Sequence, residues 1–172
     1  MASPPDTIDV VHAILGIDDS SVIARLRKKK PGQIDELQAY YRSIFEPETV
    51  SADQFPVSLR ALVALRVATH TRSSAVAAWY ADLARESGAV EVDLQRASDL
   101  ADEWSDDTVT GASLRRTDKI TLKPSSAQAE DIDALTSSGL TPGAILSLSQ
   151  VIAFVSYQLR FVAVLRAVGG LT

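Results

Sequence analysis

His70 stands beside Thr69, Thr71 and Arg72 near the end of an apolar run, where an imidazole has two readings. It is a pocket base working near neutral pH, or a partly exposed histidine stabilised by the negative end of a helix dipole. Tyr80 follows Trp79 on a stripe of helical period, so its phenol either floors a pocket as a weak acid or is core. Arg160 falls on one helix face with Ser149, Ala153 and Ser156. Small residues there let a second helix approach closely. A buried arginine demands an anion, which is either a carboxylate across a subunit seam or that of a ligand.

Other charged groups are weaker candidates. Asp102, Glu103, Asp106 and Asp107 include two carboxylate pairs one helical turn apart. A hard cation needs further oxygen ligands converging from elsewhere, so a solvated helix end is the better account. Arg25, Arg27 and Lys28 to Lys30 could touch phosphate, but they also fill the last turns of a helix, where positive charge compensates the dipole. The bend from Ser138 to Ala144 resembles a helix-turn-helix corner. Its second helix is too apolar to lie in a DNA groove.

The composition narrows the chemistry further. The 172 residues contain two histidines and no cysteine, which rules out thiol catalysis, disulfides and thiolate-bound metal. A net charge of −5 without a basic face argues against nucleic-acid partners. The first nine residues carry neither a basic n-region nor an apolar h-region, which predicts no signal peptide and a cytoplasmic protein. The most apolar stretch, Val151 to Val168, contains Ser156, Gln158, Arg160 and Arg166. Two arginines in mid-span oppose a membrane crossing, and the stretch reads as a buried core or interface helix. No cofactor and no metal site is expected.

These candidates must be positioned by helices, since no strand-type alternation is found. Asp6 is expected to cap a first helix that exits at Gly16, and Asp19 or Ser20 to open a second with Val22, Ile23 and Leu26 inward. A third carries Ile34, Leu37, Tyr41, Ile44 and Phe45 on one face, followed by a linker from Glu46 to Pro56 in which Ser51 and Gln54 have capping-box spacing. Val57 to Thr71 and the stripe Val76, Trp79, Tyr80, Leu83, Ala84 form a helix pair closed at Gly88. Leu94, Ala97, Ala101 and Trp104 make a further stripe, with a polar turn from Asp106 to Gly111. Ala112 to Leu122 reads as a short helix, and Ser125 with Gln128 as the start of the next, ended by Gly139. Thr141 then caps the longest helix, with Pro142 at its first position, running to about Val168. The expected fold is an all-α bundle in one structural domain, with residues 1–50 an extension packed on a core of residues 51–172.

Three passages carry a family resemblance: Leu59 to Gly88, Lys119 to Pro124 with Gly139 to Ile145, and Ser149 to Arg160. Their order and spacing resemble the carboxymuconolactone decarboxylase and AhpD-like alkylhydroperoxidase superfamily, in its peroxidase-related branch. The resemblance covers roughly the last two-thirds of the chain. It implies an AhpD-like oligomeric bundle, dimer or hexamer, with the N-terminal helices as that branch's extension. Redox members of the family carry a glutamate, a Cys-x-x-Cys and a histidine, which align here with Ala61, Ser73, Val76 and Tyr80. All four positions depart, and no serine can replace a thiolate that forms a sulfenic acid.

Two readings follow from the resemblance. One is a non-catalytic oligomeric member linked to oxidative or xenobiotic metabolism, working beside a cysteine-bearing AhpD-like sister, with the old site filled. The other is a cysteine-independent decarboxylase or isomerase acting on a small carboxylated or lactone substrate, with His70 or Tyr80 and Arg160 in one pocket.

Overall fold

The computed structural model describes residues 9–47 and 55–169, and among them every regular element is helical. In chain order these are α1 (Val10–Leu15), α2 (Val22–Arg27), α3 (Pro31–Phe45), α4 (Val57–His70), α5 (Ser74–Glu86), α6 (Glu91–Ser98), α7 (Val109–Leu122), α8 (Glu130–Ser137) and α9 (Pro142–Gly169), with a 3-10 turn at Pro124–Ser126. The all-α expectation holds. The expected cap at Asp6 and the Ser51–Gln54 box lie outside the described residues.

The bundle is organised around α4, which packs against α3, α5, α6, α7 and α9. Every residue from Leu59 to Ala68 is buried, arginines included. The run of leucine, valine and alanine suits a helix with neighbours on all sides, because small residues allow close approach where large ones interdigitate. Arg60 is tolerated inside because its Nε donates to the Phe55 carbonyl at 2.8 Å and its Nη1 to the Ile44 carbonyl at 2.7 Å. It thereby ties the end of α3 to the entry of α4. One apolar core runs without a break from Val10 to Leu165.

Thr141 caps α9 as expected, its Oγ1 accepting from the Ala144 N–H at 3.1 Å, with Pro142 in the first turn. The helix has 28 residues and is long and apolar enough, by length and composition, to cross a membrane. Its inner face, including Leu148, Val151, Val155 and Val162, lies in the bundle. Its outer face is also apolar: Leu146, Ala153, Tyr157, Val164 and Val168 recur at helical spacing and are exposed.

Several boundaries differ from the sequence expectation, each for a local reason. Asp9 accepts from the Val11 and His12 N–H groups and caps α1. Ser21, not Asp19 or Ser20, caps α2, because the Asp18 carboxylate takes the Ser20 N–H at 2.7 Å and holds that residue in a turn. Ile23 is buried, but Val22 and Leu26 face outward. The buried charge on α2 is Arg27, paired with Asp9 at 2.6 Å, so one member of the basic run is a tie between helices. Pro31 begins α3, after α2 has already ended at Arg27 with Lys28 as its C-cap.

The stripe through Ala101 and Trp104 is not a helix. α6 stops at Ser98, and the Asp99 and Asp102 carboxylates take the N–H groups of Ala101 and Trp104 at 2.9 and 2.8 Å. Such Asx turns compete with helix continuation. Trp104 is buried nonetheless, at φ 46°, beneath the Arg96 guanidinium 3.9 Å from its ring centroid. Gly111 belongs to the first turn of α7 rather than to the preceding loop. A Cβ there would meet the Asp106 carbonyl at 2.6 Å, which explains the glycine. Ser125 lies within the 3-10 turn and Gln128 after it, and α8 starts at Glu130, with the Asp131 carboxylate taking the Gln128 N–H at 2.9 Å.

Candidate functional site

Three separate places hold the residues that the sequence nominates. The first is the C-terminal end of α4. His70 Nε2 lies 2.6 Å from Asp118 Oδ1, on α7, and the ring is nearly buried. Arg66, one turn earlier, grips both oxygens of the same carboxylate, at 2.7 and 2.9 Å. Its remaining donors go to the Arg96, Asp99 and Asp102 carbonyls at 3.2, 2.5 and 2.9 Å. All five guanidinium N–H groups are thus used, in a residue 1% exposed. The neighbouring hydroxyls are also committed, Thr69 to the Leu65 carbonyl and Thr71 to that of Val67. The arrangement has a carboxylate and an imidazole but no nucleophile in reach. It is built as an ion cluster that fastens α4, α7 and the loop after α6.

The second place is the core beneath α5, where three of the four positions aligned with the redox motif lie, the fourth, Ser73, lining a cleft at the α4–α5 junction. Ala61, Val76 and Tyr80 are completely buried. The Tyr80 hydroxyl donates to Gln158 Oε1 at 2.7 Å, and its ring packs 5.1 Å from that of Phe45. Burial pushes the phenol well above its ordinary pKa, so it holds its proton near neutrality. Gln158 Nε2, also buried, has no partner among the described residues. Ser73 is half-buried at the start of α5, and its side chain caps nothing. Of the two readings for Tyr80 and Trp79, the core reading describes what is seen; Trp79 Nε1 donates to the Tyr41 hydroxyl at 3.1 Å.

The third place is a cleft of about 430 Å³ between the α4–α5 junction and α9. Arg160 lines it and is exposed rather than buried, as is Arg72, and the half-buried Arg166 joins them. Ser156 and Ser73 also line it, whereas Ser149 and Ala153 face outward. Neither His70 nor Tyr80 contributes to its wall. The structure therefore does not bring His70, Tyr80 and Arg160 together.

The acidic group belongs to the loop after α6. Asp102 bonds Arg96 at 2.7 and 3.2 Å, Asp106 bonds it at 3.1 Å, and Asp107 approaches Arg115 at 3.3 Å. Hydrogen bonds from Arg96 and from the Trp104 N–H hold Asp102 below the ordinary carboxylate range. Bonds from Thr108 and then Arg96 do the same for Asp106. Among the described residues no three histidine or acidic side chains converge on a metal-sized space.

These depressed pKa values fix a sign. The stability that the two carboxylates contribute is present above the unfolded value of 3.8 and is lost as pH falls through the lower folded values. The loop is therefore expected to loosen below about pH 4. Trp104 emission followed down an acid titration should shift earlier in the Asp102→Asn variant. An unchanged midpoint would remove this loop as the acid-sensitive element.

Sequence reasoning missed Asp118, Arg66, Arg72 and Arg166. Arg66 had a signal, being a charge in the middle of an apolar run, while Asp118 had none, because its partners are 48 and 52 residues away.

Comparison with solved structures gives a likeness to the crystal structure of an uncharacterized peroxidase-related protein from Silicibacter sp. TM1040. The TM-score is 0.71 at 15% identity, covering 99% of this chain and 87% of the other. That likeness establishes a shared fold, over nearly the whole chain rather than its last two-thirds. No family model matches, and no curated protein matches significantly in sequence.

Proposed function

We propose that this chain is an AhpD-like protein, of the carboxymuconolactone decarboxylase superfamily, whose redox site has become core and whose role is oligomeric and non-catalytic. The supporting observation is the complete burial of Val76 and Tyr80, with the Tyr80–Gln158 bond occupying the space where a reactive pair would need access. A hydroperoxide cannot reach these positions, and no thiol would meet it there.

In this reading the outer face of α9 is covered by a second copy. The stripe from Leu146 to Val168 runs for about six turns and is apolar except for Gln150, with Arg160 at its edge. Tyr157 and Phe161 stack on it, 6.2 Å apart and nearly parallel, as a flat ridge for a facing helix. A contiguous patch of this kind marks an interaction surface. We place the protein in the cytoplasm, linked to oxidative or xenobiotic metabolism, beside a cysteine-bearing AhpD-like sister.

Light scattering of the full chain at micromolar concentration is expected to give a dimer or hexamer. Val164→Glu should reduce the mass to that of one chain without unfolding it. A monodisperse monomer for the unaltered protein would overturn the reading, as would measurable hydroperoxide turnover by the isolated chain. The alternative, a cysteine-independent decarboxylase or isomerase, draws on the cleft at Arg160. It needs a base in that cleft, and both His70 and Tyr80 are engaged elsewhere.

A further inference from the structure

We propose that the cleft at the α4–α5 junction binds a small organic anion, holding its carboxylate or phosphoryl oxygens with Arg72, Arg160 and Arg166. The inference is separate from the assembly reading: the cleft centres on Ser156, Leu159, Ala163 and Arg166, and only Arg160 reaches the edge of the outer stripe of α9.

Charge is the first argument. The chain carries a net −5, yet three guanidiniums gather here and no carboxylate lines the wall. Among the described residues none of the three side chains forms an ion pair or hydrogen bond, in contrast to Arg66, Arg96 and Arg116, each of which is paired with a carboxylate. Uncompensated like charges repel, and an anion is what relieves them.

The backbone supplies the second argument. Four helices end in the same reverse turn, with paired bonds from the residue in the left-handed position and the one after it. In α1, α5 and α8 that position is Gly16, Gly88 or Gly139, at φ 58°, 91° and 100°. In α4 it is Arg72, at φ 56°, with its N–H to the Thr69 carbonyl and the Ser73 N–H to that of Ala68. Glycine is favoured there because a Cβ is strained at positive φ. An arginine stands where the fold alone would choose glycine, and its side chain lines the cleft.

The rest of the wall fits the same ligand. α5 opens at Ser73, which lines the cleft, so the positive end of its dipole adds to the field; its first turn contains no acid and its N-cap no side-chain bond. The Thr121 hydroxyl, another lining group, is buried without a partner. Leu159, Val162 and Ala163 supply an apolar surface for a carbon skeleton. The volume suits a small metabolite rather than a bare ion.

Calorimetric titration of the full chain tests this. The probes are aliphatic and aromatic dicarboxylates, a phosphomonoester, and the diamide of one dicarboxylate. Saturable binding is expected with a Kd of roughly 1 mM or tighter for at least one anion, weakening with salt and absent for the diamide. The tighter probe class identifies carboxylate or phosphoryl as the source. Arg160→Gln and Arg166→Gln should each weaken it by about tenfold or more, as expected for a charge-assisted bond. Arg85→Gln, remote from the cleft, should leave it unchanged. Arg72→Gly is the sharpest variant: it should raise Tm by roughly 2–4 °C by relieving the strain, yet weaken binding.

The proposal is overturned if no anion binds, if the diamide binds equally, or if the arginine variants leave affinity unaltered. It is also overturned if no anion binds while salt or Arg160→Gln splits an oligomer, since the cleft would then be a seam filled by a second copy's acids. Light scattering in the same buffers separates that outcome from a failure of assembly itself.

Discussion

Arg66→Met should lower the unfolding free energy by about 3–5 kcal/mol, the cost of breaking a buried ion pair from one side. The substitution keeps most of the volume but strips Asp118 of a bidentate partner, removes the side-chain donor to the Asp102 carbonyl, and leaves the Arg96 and Asp99 carbonyls with one backbone N–H each. Arg66→Lys should recover little of the loss, because one ammonium cannot span two carboxylate oxygens and three carbonyls in different directions. His70→Gln should cost much less, since Arg66 still neutralises the carboxylate. Urea unfolding of the three variants ranks them directly. A loss below about 1 kcal/mol for Arg66→Met, the range of an exposed pair, would mean that the cluster is incidental to the fold. Amide exchange offers a second readout, since the loop carrying Trp104 should lose protection before the rest of the bundle.

That cluster also shows where sequence reading stops. The helix pair α4 and α5 and the long α9 were legible because apolar residues recur at helical period, and because Gly16, Gly88, Gly139 and the Thr141–Pro142 start are local signals. The segment after Leu94 and Ala97 was misread because periodicity alone cannot see side chains competing for the backbone. Asp99, Asp102 and Asp106 each bond an N–H two residues on, which folds the chain into turns while still burying Trp104. In α2 the inward face was misassigned because the Arg27–Asp9 pair, not apolar residues at helical spacing, orients a six-residue helix.

The site was legible only in part, for a related reason. Arg160 was singled out by its helical face, and it does line a cleft, but through exposure rather than burial. Of its companions, Arg166 lies farther along the same helix and Arg72 on the turn between α4 and α5. Arg72 reads in sequence as an ordinary charge at a helix end, and only its φ marks it as costly. The ion partner of His70 sits 48 residues away on a helix whose start was placed too late. Long-range charge pairing leaves no periodic trace.

The Tyr80–Gln158 pair separates a filled site from a working one. Tyr80→Phe removes the donor to a buried amide that already has one unpaired nitrogen, and should cost about 1–3 kcal/mol, the penalty of an unsatisfied group. Adding Gln158→Leu removes the orphaned amide itself, and the double variant should return to within about 1 kcal/mol of the parent, because losing both partners costs little. Tyr80→Ala, which also empties the space beside Phe45, should cost about 3–5 kcal/mol. The sign of the first change carries the argument. Side chains held for catalysis commonly sit at the expense of stability, so relieving them makes a protein more stable. A side chain that has replaced a lost thiol as packing has no such tension, and trimming it can only loosen the core. Thermal unfolding of Tyr80→Phe decides between these cases: a lower Tm fits a site turned into core, and a higher one would return Tyr80 to the list of residues kept for chemistry.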